Sequence, residues 1–235
     1  MVLESISTSN EEVDRQLGGG LPIPSLILIE GEHGTGKSSM VAQFIRGLLN
    51  GNKKVLFITT ESGIKEYIEK MKMITYDFRR DFLQNRLSIL PVNVDGLSWS
   101  PKQSKLLLPV IGRFISVNSK KAEVTVIDSL SALTLYSDSN TILDFFTKCK
   151  NFVSKGMTVI ITMHPKAVPE DVAMRIRSSC DGYMRITPTT IAGRSVKVME
   201  VVKLIGSSSQ VSSQFSFDVD QSFGIKIVPL SMANA

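Results

Sequence analysis

Gly31-Glu-His-Gly-Thr-Gly-Lys-Ser38 is the most informative segment of this sequence, because its spacing is that of a Walker A phosphate-binding loop. Glycines in such a loop leave room for backbone N–H groups to surround phosphate oxygens. The apolar run Leu26–Ile29 precedes the motif, and a helical pattern from Ser39 to Asn50 follows it. A strand before the loop and a helix after it are the context that this motif requires, so the segment predicts a nucleotide-binding site.

The residues of this motif have different expected roles. Lys37 is expected to reach the β and γ phosphates, and the Ser38 hydroxyl is expected to bind Mg²⁺. His33 stands at a variable position of the motif, where we expect it to be exposed rather than catalytic. The residues predicted to contact nucleotide are Gly31, His33, Gly34, Thr35, Gly36, Lys37, Ser38 and Ser39.

The rest of the chain predicts an α/β fold. Strand patterns at Lys53–Thr59, Leu87–Leu90, Val124–Asp128 and Thr158–His164 alternate with helical patterns at residues 63–73, 102–117 and 141–154. Later β-like runs have no helices between them, namely Tyr183–Thr187, Val196–Leu204, Gln214–Val219 and Gly224–Val228. We therefore expect a mostly parallel central sheet flanked by helices, with C-terminal antiparallel strands, in a single domain over residues 1–235.

Several expectations concern smaller segments. Ser9 or Asn10 should cap a short helix that the glycines Gly18–Gly20 end. Loops are expected at residues 92–101, around Trp99, and at residues 207–213, where we expect mobility. The helical pattern from Lys102 to Val117 has apolar positions at Leu106, Val110, Phe114 and Val117.

Three polar residues lie at or just after the ends of predicted strands and should be near the phosphate loop, because open α/β sheets bind ligands at the carboxyl ends of their strands. Asp128 ends an apolar strand in the Walker B pattern and is expected to hold Mg²⁺ through its water shell. Glu61 is either a general base that orients the attacking water or a glutamate favoured by a helix N-terminus. His164 either contacts the γ phosphate or has a structural role.

The composition limits the function classes. Hydrophobic residues make up 43% of the 235 residues, which predicts a packed core rather than a disordered chain. No apolar run approaches the roughly 18 residues of a membrane span, and no signal-peptide pattern begins at Met1. Cys149 and Cys180 lack metal-ligand spacing, so we expect reduced thiols in a cytosolic protein. The net charge of +5 permits contact with an acidic partner or nucleic acid, but a solvated surface is the favoured interpretation.

Together these motifs resemble the RecA superfamily and, within it, the KaiC-like ATPases, over nearly the whole chain. The similarity includes Leu17-Gly-Gly-Gly-Leu-Pro22, the phosphate loop, Phe57-Ile-Thr-Thr-Glu-Ser62, Val126-Ile-Asp-Ser-Leu-Ser131 and Val201-Val-Lys-Leu-Ile-Gly206. More narrowly, Ser9-Asn-Glu-Glu-Val-Asp14 and the run into Gly31 resemble the FlaH (also called ArlH) family, the nucleotide-binding component of the archaellum motor.

The resemblance implies a RecA-like P-loop core in which the His164 strand lies between the phosphate-loop strand and the Asp128 strand. It implies ATP and Mg²⁺ as cofactors, Glu61 at the catalytic glutamate position and His164 at the phosphate-sensing position. It also implies self-association into a ring, expected to be a hexamer. The implied partners are the archaellum motor ATPase and a ring scaffold protein, with the chain cytoplasmic, peripheral to the membrane-embedded motor and not inserted into the membrane.

Two departures from KaiC-like hydrolases favour slow turnover. Thr60-Glu61 stands where those enzymes often carry paired glutamates. Their seventh strand often ends in Lys-x-Arg, whose cations reach the γ phosphate of a neighbouring subunit. Here Lys203 is kept as the catalytic cation, and Ile205 replaces the arginine. Because such a cation contributes about 10³–10⁵ in rate, tight binding with slow or absent hydrolysis is expected.

The leading hypothesis is therefore an ATP-binding regulatory component that acts as a nucleotide-dependent switch and docks to the motor ATPase and scaffold. An active KaiC-like ATPase or autokinase is the alternative. A recombinase paralogue that binds DNA is less favoured, because only the short segment His164–Pro169 follows the sensor strand before a helix-like run. The lysines and arginines are also scattered rather than grouped in a stripe.

Overall fold

The computed structural model describes residues 4–92, 105–191 and 194–228. Its strands are β1 Glu4–Ile6, β2 Leu21–Ile23, β3 Leu26–Gly31, β4 Val55–Thr59, β5 Leu87–Pro91, β6 Val124–Asp128, β7 Thr158–Met163, β8 Gly182–Ile191, β9 Arg194–Leu204, β10 Gln214–Asp220 and β11 Gly224–Val228. Its helices are α1 Glu11–Gln16, α2 Lys37–Asn50, α3 Ile64–Lys72, α4 Arg79–Leu83, α5 Leu107–Asn118, α6 Ser131–Thr134, α7 Ser139–Ser154 and α8 Glu170–Ser179.

A mixed sheet forms the centre of the described part of the chain. Its strand order is β11-β10-β9-β8-β3-β7-β6-β4-β5. The six strands from β8 to β5 pair in parallel, whereas β9, β10 and β11 pair antiparallel. The predicted α/β fold is confirmed, and so is the position of the His164 strand β7 between β3 and β6.

Both faces of the sheet are covered by helices. Alternate residues of a strand point to opposite faces, so Ile27 and Ile29 of β3 join one core cluster while Leu26 and Leu28 join the other. The first cluster includes apolar residues of α1, α2 and α3, and the second includes residues of α5, α7 and α8. This two-sided burial explains why β3, β4, β6 and β7 are buried along their whole length and consist mostly of apolar residues.

The N-terminal helix forms as expected. The Asn10 side chain accepts hydrogen bonds from the backbone N–H groups of Glu12 and Val13, so Asn10 and not Ser9 is the cap. Gly18, Gly19 and Gly20 all have positive φ, which ends the helix and turns the chain into β2. The sequence did not predict that β2 pairs with β1 in a separate two-stranded sheet.

Helix α5 exists, but three of the four positions predicted for its apolar face do not face the core. Leu106, Val110 and Val117 lie exposed, whereas Phe114 packs against the second core cluster. The buried positions are Leu108, Ile111 and Ile115. Apolar residues occur nearly all round this helix, so its periodicity fits more than one face. The loop predicted at residues 92–101, including Trp99, lies outside the described residues apart from Val92.

The segment at residues 207–213 has no helix or strand, as predicted. The backbone N–H groups of Ser209 and Ser212 donate to the carbonyls of Gly18 and Gln16, so the segment is attached to the end of α1. Helices α4 and α6 are additional short elements that the sequence analysis missed. None of the helices in the described ranges is both long enough and apolar enough to span a bilayer.

Candidate functional site

The carboxyl ends of β3, β4, β6 and β7 lie at one edge of the sheet, where they border a cavity of about 390 Å³. The phosphate loop, between β3 and α2, forms its floor. The predicted residues Glu61, Asp128 and His164 all reach this cavity. Its lining consists of His33, Gly34, Thr35, Gly36, Lys37, Ser38, Ser39, Glu61, Asp128, His164, Lys197 and Val219.

The phosphate loop has a backbone that only glycine tolerates well. Gly34 and Gly36 have φ values of 74° and 87°, and Gly36 is the N-cap residue of α2. Gly31 does not line the cavity but lies behind it. A Cβ atom there would come within 2.7 Å of Thr35 Oγ1 and 2.8 Å of the Ile186 carbonyl oxygen. Gly31 therefore permits close packing of the loop, while the two later glycines shape the cavity floor.

Lys37 is buried and held by the loop itself. Its Nζ donates to the carbonyl oxygens of Gly31 and Glu32, at 2.7 Å each. Burial lowers the pKa of Lys37, although the carboxylates of Asp128 and Glu61 favour its charged form. A phosphate bound in the cavity would add negative charge beside this ammonium group and favour its charged form further.

Asp128 is buried at the end of β6. Thr162 Oγ1 donates to its carboxylate at 2.5 Å. Burial raises the pKa of Asp128, although the hydroxyls of Thr162 and Ser38 favour its ionised form. A cation at this point would favour the ionised carboxylate and reverse that shift.

These oxygen donors fit Mg²⁺ rather than a tightly liganded transition metal. Within the ranges that the structure describes, no group of three or more His, Cys, Asp and Glu side chains could hold a metal ion. Magnesium prefers oxygen ligands and is usually held by one or two protein groups together with substrate phosphates and water. The hydroxyl of Ser38 and the carboxylate of Asp128 provide such a pair.

Glu61 lies in the loop after β4 and faces the cavity. Ser129 Oγ is 3.4 Å from Glu61 Oε1, and the side chain is exposed. Helix α3 begins at Ile64 with Gly63 as its N-cap, and no side chain caps it. Glu61 thus makes no capping hydrogen bond to α3, although it lies close to the N-terminus of that helix, and both interpretations of this residue stay open. Its carboxylate borders the cavity, where it could contact a ligand or water.

His164 follows β7 and meets His33 of the phosphate loop. The two ring centroids are 3.9 Å apart, with the planes inclined at 40°. The backbone N–H of His164 donates to Ser131 Oγ at 2.8 Å. Burial lowers the pKa of His164, and the nearby charges of Lys37 and His33 lower it further. His33 is exposed, as expected, but its contact with His164 was not predicted.

Two lining residues come from the antiparallel strands and were missed. Lys197 of β9 donates to Asp218 Oδ1 at 2.6 Å, and Val219 lies on β10. A Cβ atom at Gly36 would be 3.3 Å from the Phe217 ring and 3.6 Å from Lys197 Cδ, so these strands reach the phosphate loop. The position of Lys197 at the cavity depends on the strand register, in which Lys197 of β9 pairs with Pro188 of β8 and with Phe217 of β10. The sequence alone does not give this register.

The structure does not bring Lys203 to the cavity of its own chain. Its Nζ donates to the backbone carbonyls of Ser178 and Cys180, at 3.0 Å and 2.6 Å. These carbonyls lie next to the start of β8, which pairs with the start of β3. This is the amino-terminal end of the parallel strands, whereas the phosphate loop follows their carboxyl-terminal end. A contact of Lys203 with nucleotide would therefore require the nucleotide of another subunit.

A partly buried ion pair supports the strand that leads into the phosphate loop. Glu30, the residue before Gly31, accepts hydrogen bonds from Arg177 Nε at 3.1 Å and from the Tyr183 hydroxyl at 2.8 Å. Arg177 belongs to α8 and Tyr183 to β8. Three elements are therefore joined directly behind the candidate site.

Comparison with known proteins agrees with this geometry. A family model described as "ATPase: KaiC" matches residues 6–232. The chain belongs to the KaiC family of ATPases. One family relative, the "Archaeal flagellar ATP-binding protein FlaH" of Sulfolobus acidocaldarius, is 42% identical, with 98% of this chain and 99% of the relative covered.

More distant relatives share the fold as well. The protein of the same name from Methanocaldococcus jannaschii is 28% identical, with 99% of each chain covered. The crystal structure of the flagellar accessory protein FlaH from M. jannaschii superimposes with a TM-score of 0.86 at 26% identity, covering 97% of this chain and 99% of that one. The RecA-like architecture predicted from the motifs is therefore confirmed for this KaiC-family member.

Proposed function

We propose that the protein is an ATP-binding regulatory component of the archaellum motor, which acts as a nucleotide-dependent switch with slow or absent hydrolysis. The observation that supports it best is the assembly of Lys37, Ser38 and Asp128 around one cavity at the phosphate loop. The names of the relatives, which describe archaeal flagellar ATP-binding proteins, support the cellular role.

In this proposal the backbone N–H groups of residues 34–38 and the Lys37 ammonium hold the phosphates, and Ser38 and Asp128 hold Mg²⁺. The bound ion would neutralise phosphate charge. Thr35 and Ser39 of the phosphate loop and helix α2 also line the cavity, and Lys197 lines it from strand β9. These contacts together would exclude water from the phosphates and orient the nucleotide in one position.

We expect slow turnover because neither position 203 nor position 205 places a positively charged side chain at the cavity of its own chain. Lys203 bonds to carbonyls away from its own cavity, and position 205 is isoleucine. The chain thus offers no arginine at the position from which KaiC-like hydrolases contact a neighbouring γ phosphate. We propose that the chain forms a ring, that Lys203 approaches the neighbouring site there, and that the ring docks to the motor ATPase and its scaffold.

The decisive experiment follows the chemical fate of ATP together with the mass of the protein. Purified protein is mixed with Mg²⁺ and ATP, and bound nucleotide and oligomer mass are measured over hours. We expect intact ATP to be retained and the mass to increase when ATP is present. Lys37→Ala should weaken ATP binding at least about 100-fold, since a charge-assisted phosphate contact and a buried ammonium are lost.

An active ATPase is the second candidate, because the Glu61 carboxylate borders the cavity, where it could orient an attacking water. Sustained hydrolysis at about 1 s⁻¹ or faster, the low end of ordinary enzyme rates, would contradict the switch. Glu61→Gln separates the two functions, since it should abolish base-assisted hydrolysis while leaving ATP retention intact.

A further inference from the structure

The two histidines of the chain lie together at the candidate nucleotide site. The sequence contains only His33 and His164, far apart along the chain. The fold brings their rings to a centroid distance of 3.9 Å, and both line the cavity. One belongs to the phosphate loop and the other to the loop after β7, so the pair connects the two segments that would flank a terminal phosphate.

Several charged groups act on this pair. The positive charge of Lys37 opposes protonation of His164, while Glu61 and Glu32 favour it. Lys197 faces the cavity from β9, where Asp218 compensates it. Two imidazolium charges about 4 Å apart repel each other strongly unless an anion lies beside them. Without such an anion, burial and the charges of Lys37 and His33 oppose protonation of His164.

We propose that His33 and His164 form a single imidazole pair that takes up a proton when the terminal phosphate of a nucleoside triphosphate binds beside it. The pair would thereby favour triphosphate over diphosphate. This inference rests on the proposed nucleotide site, and it adds a property that the phosphate loop alone does not supply. His33 becomes a residue that determines specificity, since the pair exists only because the loop carries histidine at this position.

The direction of the pH dependence follows from linkage. Burial, Lys37 and His33 lower the pKa of His164 in the free protein, and the negative γ phosphate would raise it. Proton uptake on binding means that affinity is highest at low pH and falls as pH rises through the pKa of the complex. If binding takes up one proton, the affinity falls by up to about tenfold for each unit that the pH rises in that range.

Calorimetry measures this uptake directly. The full chain, without added histidines, is titrated with Mg²⁺ and a triphosphate analogue whose β–γ bridge resists hydrolysis, in two buffers of different ionisation enthalpy. ADP is titrated in the same way. We expect net proton uptake with the triphosphate and clearly less with ADP. The ratio of the affinity for the triphosphate analogue to the affinity for ADP should fall as the pH is raised from 6 to 8.

Single substitutions test whether the two rings act together. In His33→Asn and in His164→Asn, the excess uptake for triphosphate should fall below half of the parental value. The His33→Asn/His164→Asn protein provides the background from the nucleotide itself. If His33→Asn keeps the parental uptake, His164 acts alone and the pair is refuted.

NMR provides a second readout, because two histidines give two sets of imidazole resonances that the single variants assign. Both should titrate at a higher pH with the triphosphate analogue than without it. Binding of nucleotide with unchanged imidazole titrations would overturn this inference while leaving the proposed function standing. Failure of the parent to bind any nucleotide would overturn both.

Discussion

At the scale of single residues, Tyr67 is an unusual buried group. Its hydroxyl has no hydrogen-bond partner among the described residues, and its ring packs against Phe57 with centroids 4.4 Å apart and the planes inclined at 34°. A buried polar group without a partner costs about 1–3 kcal/mol. We expect Tyr67→Phe to stabilise the nucleotide-free protein by about 1 kcal/mol and to raise Tm by about 2–4 °C, measured by thermal and urea unfolding.

Tyr76 provides the matched control. Its hydroxyl donates to Gln43 Oε1 at 2.7 Å and accepts from the Ile225 backbone N–H at 2.9 Å. Tyr76→Phe should therefore destabilise the fold by about 1–3 kcal/mol, because two buried groups lose a partner. If Tyr67→Phe and Tyr76→Phe change stability in the same direction, the hydrogen bonding of the two hydroxyl groups does not determine the stability change.

At the scale of elements, helix α2 contacts the N-terminal segment through a glycine. A Cβ atom at Gly47 would overlap backbone atoms of Ser7 and Thr8. Because backbone cannot move aside as a flexible side chain can, we expect Gly47→Ala to destabilise by about 1–3 kcal/mol. Urea unfolding, followed by circular dichroism, measures the change.

Gly112 of α5 is the opposite case. A Cβ atom there would lie 3.6 Å from Lys148 Cδ, an ordinary contact. Alanine favours a helix over glycine by about 1 kcal/mol, so Gly112→Ala should stabilise the protein by up to that amount. If Gly47→Ala and Gly112→Ala change the free energy of unfolding equally, helix propensity determines the effect at Gly47, and the contact with Ser7 and Thr8 does not.

Elements with a strong pattern could be predicted from the sequence, and contacts that depend on register could not. The phosphate-loop motif and the apolar run ending at Asp128 predicted β3, α2 and β6 closely. Helix α5 shows the limit, since apolar residues all round it do not reveal which face is buried. Lys197 could not be assigned to the cavity because its position depends on how β9 pairs with β8 and β10.

At the scale of the whole molecule, both thiols report on global unfolding. Cys149 and Cys180 are free and buried, and burial raises the pKa of the Cys180 thiol to about 12. Because the thiolate is the reactive form, both should resist a thiol reagent such as DTNB at pH 8 in the folded protein. We expect two thiols to react only in denaturant. Rapid reaction in native buffer would contradict this packing.

The walls of the candidate cavity come from residues widely separated in the order of synthesis. The phosphate loop emerges early, whereas Lys197 and Val219 belong to β9 and β10. A chain still growing on the ribosome has its phosphate loop exposed to the cytosol well before those strands can pack against Gly36. The complete cavity therefore forms only late in translation, and premature termination before residue 219 yields a polypeptide whose phosphate loop lacks one wall.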